Sequence, residues 1–325
     1  MSVPAEAYDA FVEASPQGSV FCASWWLDAV AAGSWRPNSV GEGDRITAAW
    51  PTVVRTSRLG PVHIGAPLTP FLGPLFEPSD TSEARRHAGE LASLERLLEG
   101  LGPYAHLEAR CNPAFDYWAP LHWHGFTQTT HYTWRLGLGD IEAAWAGLRE
   151  NVRREVRKAR KRGVSVEEGS LEELLGLQRL TAERQGHVEA AEQGRETIRR
   201  LDPEAARRGV RSILLARDEE GRVHAGAYIV WDSRFTYYLL GGSDETLRTS
   251  GAASLVLWSA IEAAAERGTG FDFEGSMLRP VERYFRSFGG APAPYSLVRS
   301  TRSRVFRLDR TARRAAQAAR SLRRR

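Results

Sequence analysis

The stretch Tyr237–Gly290 decides the fold of this chain; it reads YYLLGGSDETLRTSGAASLVLWSAIEAAAERGTGFDFEGSMLRPVERYFRSFGG. An apolar run predicts a strand, a Gly/Ser/Thr-rich loop follows, and the next apolar periodicity predicts a long helix over Ser250–Arg267. A short strand, Gly270–Glu274, ends in an acidic tip, and Pro280 suits the first turn of another helix. This order predicts a helix N-terminus and two carboxylates near one edge of a sheet.

The composition is that of a soluble globular protein. The chain has 325 residues, of which 42% are hydrophobic and 26% charged, and this length predicts about two domains. An apolar run of about 18 residues, as a membrane span needs, is absent, and so is an N-terminal basic region followed by an apolar core. Cys22 and Cys111 lack the spacing of a metal or redox pair, which predicts reduced, partly buried thiols. We therefore expect a cytoplasmic protein.

The net charge of +4 hides an asymmetry between the C-terminal tail and the rest of the chain. From Arg302 to Arg325 there are ten Arg and one acid, a charge of +9, so the preceding residues sum to −5. The basic character belongs mainly to this tail. The tail is predicted to be a surface helix or disordered, and it suits peripheral contact with an anionic membrane or with RNA.

The pattern of elements divides the chain into three parts. Residues 1–130 predict a first α/β unit, residues 131–300 a second, and residues 301–325 the Arg-rich C-terminal tail. In the second unit, a helix is followed by three antiparallel strands, and then by a helix, a strand, a second helix and a last strand. The expected fold class is therefore α/β with mixed sheets that carry helices on their faces.

Five motifs spread over most of the chain carry a family resemblance. They are APLTPFLGPLF at Ala66–Phe76, WHGFTQTTHYTWRLGL at Trp123–Leu138, NVRREVRKARKRGV at Asn151–Val164, FDFEGSM at Phe271–Met277 and ERYFRSFGG at Glu282–Gly290. With them the chain resembles the Fem-type (FemAB-like) peptidyltransferases and their GNAT-like acyltransferase relatives. The resemblance implies two tandem GNAT-like domains, the first on the acceptor side and the second on the donor and catalytic side.

The resemblance also implies a reaction: transfer of an aminoacyl or acyl group to an amine, borne by a cell-wall precursor or another metabolite. The donor would be aminoacyl-tRNA or acyl-CoA, and no permanently bound cofactor is expected. The chain departs from the family twice, because it has no room for a long helical arm and because Arg286 stands where many members have lysine. Two alternatives stay open: an acyl-CoA-dependent N-acyltransferase, and a non-catalytic RNA- or lipid-binding module.

The acidic strand tip supplies the predicted base. Strand alternation buries Phe271 and Phe273 on one face and directs Asp272 and Glu274 to the other. A carboxylate with a raised pKa can take the proton of an attacking ammonium, and Glu274 is the first choice for this role, ahead of Asp272. The competing interpretation is that each carboxylate pairs with a nearby arginine.

Further catalytic and donor-binding residues flank that tip. The resemblance implies that Tyr284 protonates the leaving group, and Arg286 is expected to stabilise the oxyanion, although as arginine it cannot give up a proton. Arg283 lies three residues away on the same helix face, suited to phosphate. Small residues opening a helix leave backbone N–H groups for a phosphate or an oxyanion, which predicts a donor loop of Arg248, Ser250, Gly251 and Ala252.

The remaining predictions concern partners. Contacts with the acceptor are expected from Arg184, Gln185, Tyr238 and Ser243. A basic amphipathic helix offers phosphate contacts to tRNA, although such a face is as well explained by solvation; its candidate residues are Arg153, Arg154, Arg157, Lys158 and Lys161. His122, His124 and His131 have no acid or cysteine at ligand spacing, so no metal site is predicted. The sequence leaves the oligomeric state open.

Overall fold

The structure is a computed structural model that describes residues 3–43, 45–185, 188–275 and 277–307, with side chains described at all of these positions except 180–191. The chain forms two compact units: Met1–Thr130 together with Tyr295–Arg325, and His131–Pro294. Among the described residues, none of the helices combines the length and the hydropathy that a membrane span requires.

Among the described residues, the first unit combines short strands with α-helices. Its helices are α1 Ala5–Ala14, α2 Ser24–Ala31, α3 Glu83–Gly100 and α4 Ala119–Trp123. Its strands are β1 Trp35–Arg36, β2 Ser39–Glu42, β3 Arg45–Ala49, β4 Thr52–Ser57, β5 Gly60–Ile64, β6 Leu75–Phe76 and β7 His106–Arg110. Strand β8, Thr127–Leu136, begins in this unit and continues into the second.

A hairpin and a parallel crossover organise the first unit. Strands β4 and β5 are antiparallel, and the chain returns through α3 to place β7 parallel to β5. The leucines that recur along one face of α3 explain this packing, because Leu94, Leu97 and Leu98 are buried in a core cluster that includes Trp50 and Phe126. Strands β2, β3 and β6 form a separate small sheet.

The second unit contains the remaining elements. Its helices are α5 Ile141–Gly147, α6 Glu150–Lys161, α7 Leu171–Gln185, α8 Val188–Arg207, α9 Ala252–Glu266 and α10 Arg279–Arg286. Its strands are β9 Ser165–Glu168, β10 Arg211–Arg217, β11 Val223–Trp231, β12 Phe235–Ser243 and β13 Gly270–Asp272, and the last strand of the chain is β14 Ala291–Thr301. The predicted mixed α/β fold is confirmed.

The sheet of the second unit runs in the order β8-β13-β12-β11-β10-β9. Among the strand pairs of the described residues in this unit, only β12 and β13 are parallel, because α9 carries the chain from one to the other. Helix α9 is apolar on nearly all sides, and its buried residues pack with those of α6 and of the strands in one core cluster. This crossover places the N-terminus of α9 beside the carboxyl end of β12.

The last strand differs from the expectation. The pattern assigned residues up to 300 to the second unit, but the structure places Tyr295 onward in the first unit. The reason is pairing, because Leu297–Thr301 lie antiparallel to β7, and only the tertiary fold can choose that partner. The tail beyond Arg307 lies outside the described residues, so its predicted contacts with RNA or a membrane stay predictions.

Candidate active site

A pocket opens where β12 runs on past the end of its parallel neighbour. Strand β13 pairs with β12 only from Phe235 to Tyr237 and ends at Asp272, whereas β12 continues to Ser243. Ligands of such sheets bind beyond the carboxyl ends of parallel strands. The pocket here has a volume of about 220 Å³. Its lining is uncharged: Ala225, Gly226, Tyr238, Gly241, Gly242, Ser243, Ala253, Val256, Leu257 and Tyr284.

Two adjacent glycines of β12 lie at this pocket, at positions where a side chain would collide with neighbouring atoms. A Cβ on Gly241 would collide with the hydroxyl oxygen of Tyr238, so this glycine leaves room for the tyrosine at the pocket. On the opposite face of the strand, a Cβ on Gly242 would lie 2.8 Å from the Cβ of Leu177 in α7. Successive residues of a strand face opposite sides. Gly241 therefore leaves space for Tyr238 at the pocket, and Gly242 allows α7 to pack closely against the strand.

The predicted donor loop lies beside the pocket, but most of it packs against α6. Gly251 has φ +88° and caps α9, and a Cβ there would collide with the carbonyl oxygen of Glu155. The N–H of Ala252 donates to Ser250 Oγ at 3.2 Å. Ser250, Gly251 and Ala252 are buried, and the exposed Ala253 lines the pocket instead. The expectation that all three small residues face a ligand is therefore wrong for Ala252, whose N–H is already used.

Asp272 is buried and fully engaged. Its side chain is 0% exposed and accepts hydrogen bonds from the Thr133 hydroxyl, from Arg135 Nε at 2.8 Å and from the N–H of Glu274 at 2.9 Å. Burial raises the pKa of the Asp272 carboxyl, and the Arg135 charge partly opposes this rise. The arginine also stacks over the Phe235 ring at 4.2 Å. The carboxylate thus acts as an anchor, as the arginine-pairing interpretation expected.

Glu274 lies beyond the strand rather than in it. Strand β13 ends at Asp272, and Glu274 has φ +53°, so the prediction that both carboxylates share one strand face is wrong. Its Oε1 is buried and finds no hydrogen-bond partner among the described residues. Burial, and then the charge of Asp272, raise the pKa of Glu274 well above its ordinary value. A positive φ is costly for a residue with a side chain, and such strain concentrates at functional sites.

Two tyrosines stand at the same pocket. The Tyr284 hydroxyl is buried without a hydrogen-bond partner of normal geometry among the described residues, and burial raises the pKa of this phenol further above neutrality. Burial also raises the pKa of Tyr238 to about 12. Both rings contact Phe285, whose ring lies 5.4 Å from that of Phe273, just before Glu274. Tyr238 and Ser243, which were expected to touch the acceptor, line this pocket with Tyr284.

The predicted cations lie at the surface and do not line the pocket. Arg248 is exposed and pairs with Glu245 at 3.3 Å, and Arg286 pairs with Glu282 at 2.9 Å. Arg283 is exposed as well. The phosphate and oxyanion roles of these arginines stay predictions. Arg184 and Gln185 end α7, but their side chains lie outside the described part of the chain.

The basic helix is α6, and much of its charge is paired locally. Arg153 and Arg157 both bind Glu150, at 2.8 and 3.4 Å, and Lys158 binds Glu155 at 2.9 Å. Arg154 and Lys161 form no ion pair with the residues that the structure describes. Of the five basic residues expected to contact tRNA, Arg154 and Lys161 could therefore bind a phosphate without first breaking an ion pair with a described acidic residue.

Some lining residues escaped the sequence pattern. Ala225, Gly226, Ala253, Val256 and Leu257 come from β11 and α9. A glycine within a strand often marks a close approach, so Gly226 carried a usable signal. The others resemble ordinary core residues, and only the position of α9 reveals that they line a pocket.

One trio has the chemistry of a metal site, in the first unit. His87, Glu90 and Asp116 bring their ligand atoms within 4.8 Å of one another. Arg86 already contacts all three, at 2.9 Å to His87 and to Glu90 and at 3.1 Å to Asp116. The guanidinium neutralises the acids that a cation would need.

Comparisons with known proteins agree with this geometry. Residues 146–286 match the sequence model of the acetyltransferase (GNAT) domain family, which covers the pocket, Glu274 and Tyr284. A comparison with curated protein sequences gives no significant match. Among solved structures, the chain is similar to FemX, with a TM-score of 0.66, 15% identity and coverage of 91% of this chain and 96% of that one.

Two further structures extend the likeness over nearly the whole chain. One is a tandem GNAT protein from the clavulanic acid biosynthesis pathway, with a TM-score of 0.51, 12% identity and coverage of 91% and 93%. The other is the C-terminal domain of a putative lysylphosphatidylglycerol synthetase from Agrobacterium fabrum, with a TM-score of 0.55, 10% identity and coverage of 90% of both chains. At these identities the likeness concerns the fold. Together, the comparisons show that residues 146–286 form a domain of the acetyltransferase (GNAT) family and that the chain shares its fold with FemX and with a tandem GNAT protein.

Proposed function

We propose that the chain transfers an acyl group from a thioester donor of the acyl-CoA type to an amine. The observation that carries the proposal is the uncharged pocket of about 220 Å³ with Tyr284 in its wall. A pantetheine arm is narrow and has no net charge, so small residues and tyrosines suit it. The backbone of β12 beyond Tyr237 has no β13 partner among the described residues, which frees polar groups to hold the amides of such an arm.

The proposed chemistry is direct attack without a covalent enzyme intermediate. The amine attacks the thioester carbonyl, a C–N bond forms, and the C–S bond breaks. Glu274 accepts the amine proton, directly or through water, and Tyr284 protonates the departing thiolate. Both side chains have pKa shifts in the required direction, because burial raises the pKa of Glu274 toward that of a base useful near neutral pH and keeps Tyr284 protonated.

In this proposal Asp272 is a positioning residue. Its Oδ1 accepts the N–H of Glu274 at 2.9 Å, and Arg135 holds its other oxygen. These bonds support the strained backbone of Glu274 from a buried, rigid strand. The negative charge of Asp272 also contributes to the raised pKa of Glu274. Asp272 thus holds the backbone in position, and Glu274 accepts the proton.

An aminoacyl-tRNA donor is the second candidate. The resemblance of its motifs to the Fem-type peptidyltransferases favours it, and Arg154 and Lys161 of α6 are available for phosphate contacts. The local pairing of Arg153, Arg157 and Lys158 weighs against it, because each would exchange an existing partner for a phosphate. The acceptor amine on a cell-wall precursor or a lipid, the non-catalytic binding module and the cytoplasmic location stay hypotheses.

Donor identity is tested with labelled acetyl-CoA and with charged tRNA, each with a panel of amines. We expect amine-dependent release of free thiol from acetyl-CoA, with no deacylation of the tRNA. Gly241→Ala should raise the KM for acetyl-CoA at least about tenfold, because its Cβ displaces Tyr238 into the donor space. Gly176→Ala is the matched control, since a Cβ there meets nothing within 4 Å. Deacylation of tRNA alone would reject the thioester donor.

The role of Tyr284 as a general acid gives a separate prediction. Tyr284→Phe should lower kcat by about 100-fold, the low end of the usual range for proton transfer, with little change in KM. Stability should not fall, because the lost hydroxyl is buried without a regular partner. An acyl-thiophenol donor, whose thiolate leaves without a proton, should restore most of the rate. Tyr132→Phe, at an exposed site, serves as the control, and an equal loss with both donors would exclude the acid role.

A further inference from the structure

The first unit repeats the strand arrangement that forms the candidate active site in the second. In the second unit, the antiparallel hairpin β11–β12 is followed by α9 and then by β13 parallel to β12. In the first, the antiparallel hairpin β4–β5 is followed by α3 and then by β7 parallel to β5. The carboxyl ends of β5 and β7 are therefore the topological equivalent of the acyl-donor pocket, where a sheet of this kind binds ligands.

A cavity of about 290 Å³ lies at this equivalent position. It is lined by Ile64, Gly65, Ala66, Thr69, Leu72, Glu108 and Arg110. The chain after β5 does not enter a helix directly, because α3 begins only at Glu83. The wall is instead the proline-rich loop that follows β5. This pocket thus has no helix N-terminus to receive a phosphate, and its charged groups are side chains.

Those charged groups leave a net positive charge at the pocket. Glu108 lies opposite Arg299 across the β7–β14 pair and binds its Nε at 2.6 Å, so the acid is neutralised. Arg110, two residues along the same strand face, lies opposite the buried Leu297. It is exposed and forms no ion pair with a residue in the described ranges. A guanidinium binds carboxylates with two parallel hydrogen bonds.

The loop wall is held in a strained shape by buried contacts. Leu68 has φ +52°, an uncommon conformation for a residue with a branched side chain. Its neighbour Thr69 accepts a hydrogen bond from the buried Trp26 Nε1 at 3.1 Å and donates to the Pro67 carbonyl at 2.9 Å. The interior of the unit thus fixes the loop in place, which is how binding sites retain unfavourable backbone geometry.

We propose that this pocket is a second ligand site, which binds a small molecule through a carboxylate held by Arg110, with an apolar part against Ile64 and Leu72. The apolar lining selects for a short aliphatic group, and the single uncompensated charge selects for a monoanion. The site goes beyond acyl transfer and does not depend on it, since all of its residues belong to the first unit.

The test uses N-acetyl-L-leucine as the probe and N-acetyl-L-leucinamide as its uncharged match, with the full chain and no acyl donor. Ligand-observed NMR titration should show saturable, millimolar binding of the acid and at least about tenfold weaker binding of the amide. Arg110→Gln should weaken binding of the acid at least about tenfold, to the level of the amide. Arg96→Gln, at an exposed position of α3 in the same unit, is the matched control and should change nothing.

Three results would overturn the proposal. These are equal binding of acid and amide, unchanged affinity in Arg110→Gln, and binding of inorganic phosphate tighter than that of N-acetyl-L-leucine. Thermal unfolding of Arg110→Gln should match the wild type, because the Arg110 side chain is exposed. Glu274→Gln should bind the probe normally. The probe titration thus tests this site, and the acyl-transfer assay tests the proposed function, so either can fail without the other.

Discussion

Glu274→Gln is expected to lower kcat/KM by about 100- to 1,000-fold, because the glutamine amide cannot accept the proton of the attacking amine. The wild-type rate should rise with pH through the raised pKa of Glu274, since the base works only when ionised. The variant should lose this ascending limb. Steady-state rates over a pH range of roughly 5 to 9 measure both effects, and Glu266→Gln on the exposed end of α9 is the control.

The same substitution should stabilise the fold while it removes activity. A pKa raised in the folded state means that the unfolded chain ionises this carboxyl more readily, so stability is greatest below the ordinary pKa of 4.5 and declines as pH rises through the folded value. At about pH 8 the wild type has a buried Glu274 carboxylate whose Oε1 has no hydrogen-bond partner in the described part of the chain, whereas the substituted amide carries no charge. The free energy of unfolding of Glu274→Gln should therefore exceed that of the wild type by roughly 1–3 kcal/mol. Near pH 4 the two should agree. Full activity in the variant, or a stability gain that is independent of pH, would reject Glu274 as the base.

Arg135→Met should strongly destabilise the second unit, with a loss of about 3–5 kcal/mol near pH 7. It leaves Asp272, whose side chain is 0% exposed, without its charge partner. The loss should shrink as pH falls, because the pKa of Asp272 is already raised and protonation removes the unpaired charge. Denaturant unfolding over a pH range of roughly 4 to 8 measures this dependence.

The control for Arg135→Met is Arg45→Met, which breaks a pair between Arg45 and Glu77 with exposures of 75% and 40%. Such a surface pair is worth at most about 1 kcal/mol. Similar losses for both variants would mean that Asp272 is not an electrostatic anchor. The activity of Arg135→Met under conditions where it is folded should also fall, because the N–H of Glu274 loses a fixed acceptor.

Local sequence pattern was sufficient to predict the elements around the candidate active site. Periodicity placed the helix that became α9, and the alternation of Phe271 and Phe273 placed both in the core. The acidic tip made Glu274 the first candidate for the base, which stays a prediction. These features depend on neighbours close in sequence, so they can be read without the fold. The same reasoning predicted two α/β units, whereas the acyl-transfer class was implied by the resemblance of five motifs to the Fem-type and GNAT-like proteins.

What only the tertiary structure decided concerns partners distant in sequence. Asp272 and Glu274 look alike in the chain, yet Arg135 neutralises one, and the backbone turn at φ +53° leaves Oε1 of the other without a partner among the described residues. The assignment of β14 from Tyr295 onward to the first unit likewise depended on its pairing with β7. The pocket could not be predicted from the sequence either, because it exists only where β12 outruns β13. Sequence patterns show which face of an element is apolar. The pKa of a buried ionisable side chain depends on whether it has a charge or hydrogen-bond partner, and this is decided only by the packing of the folded molecule.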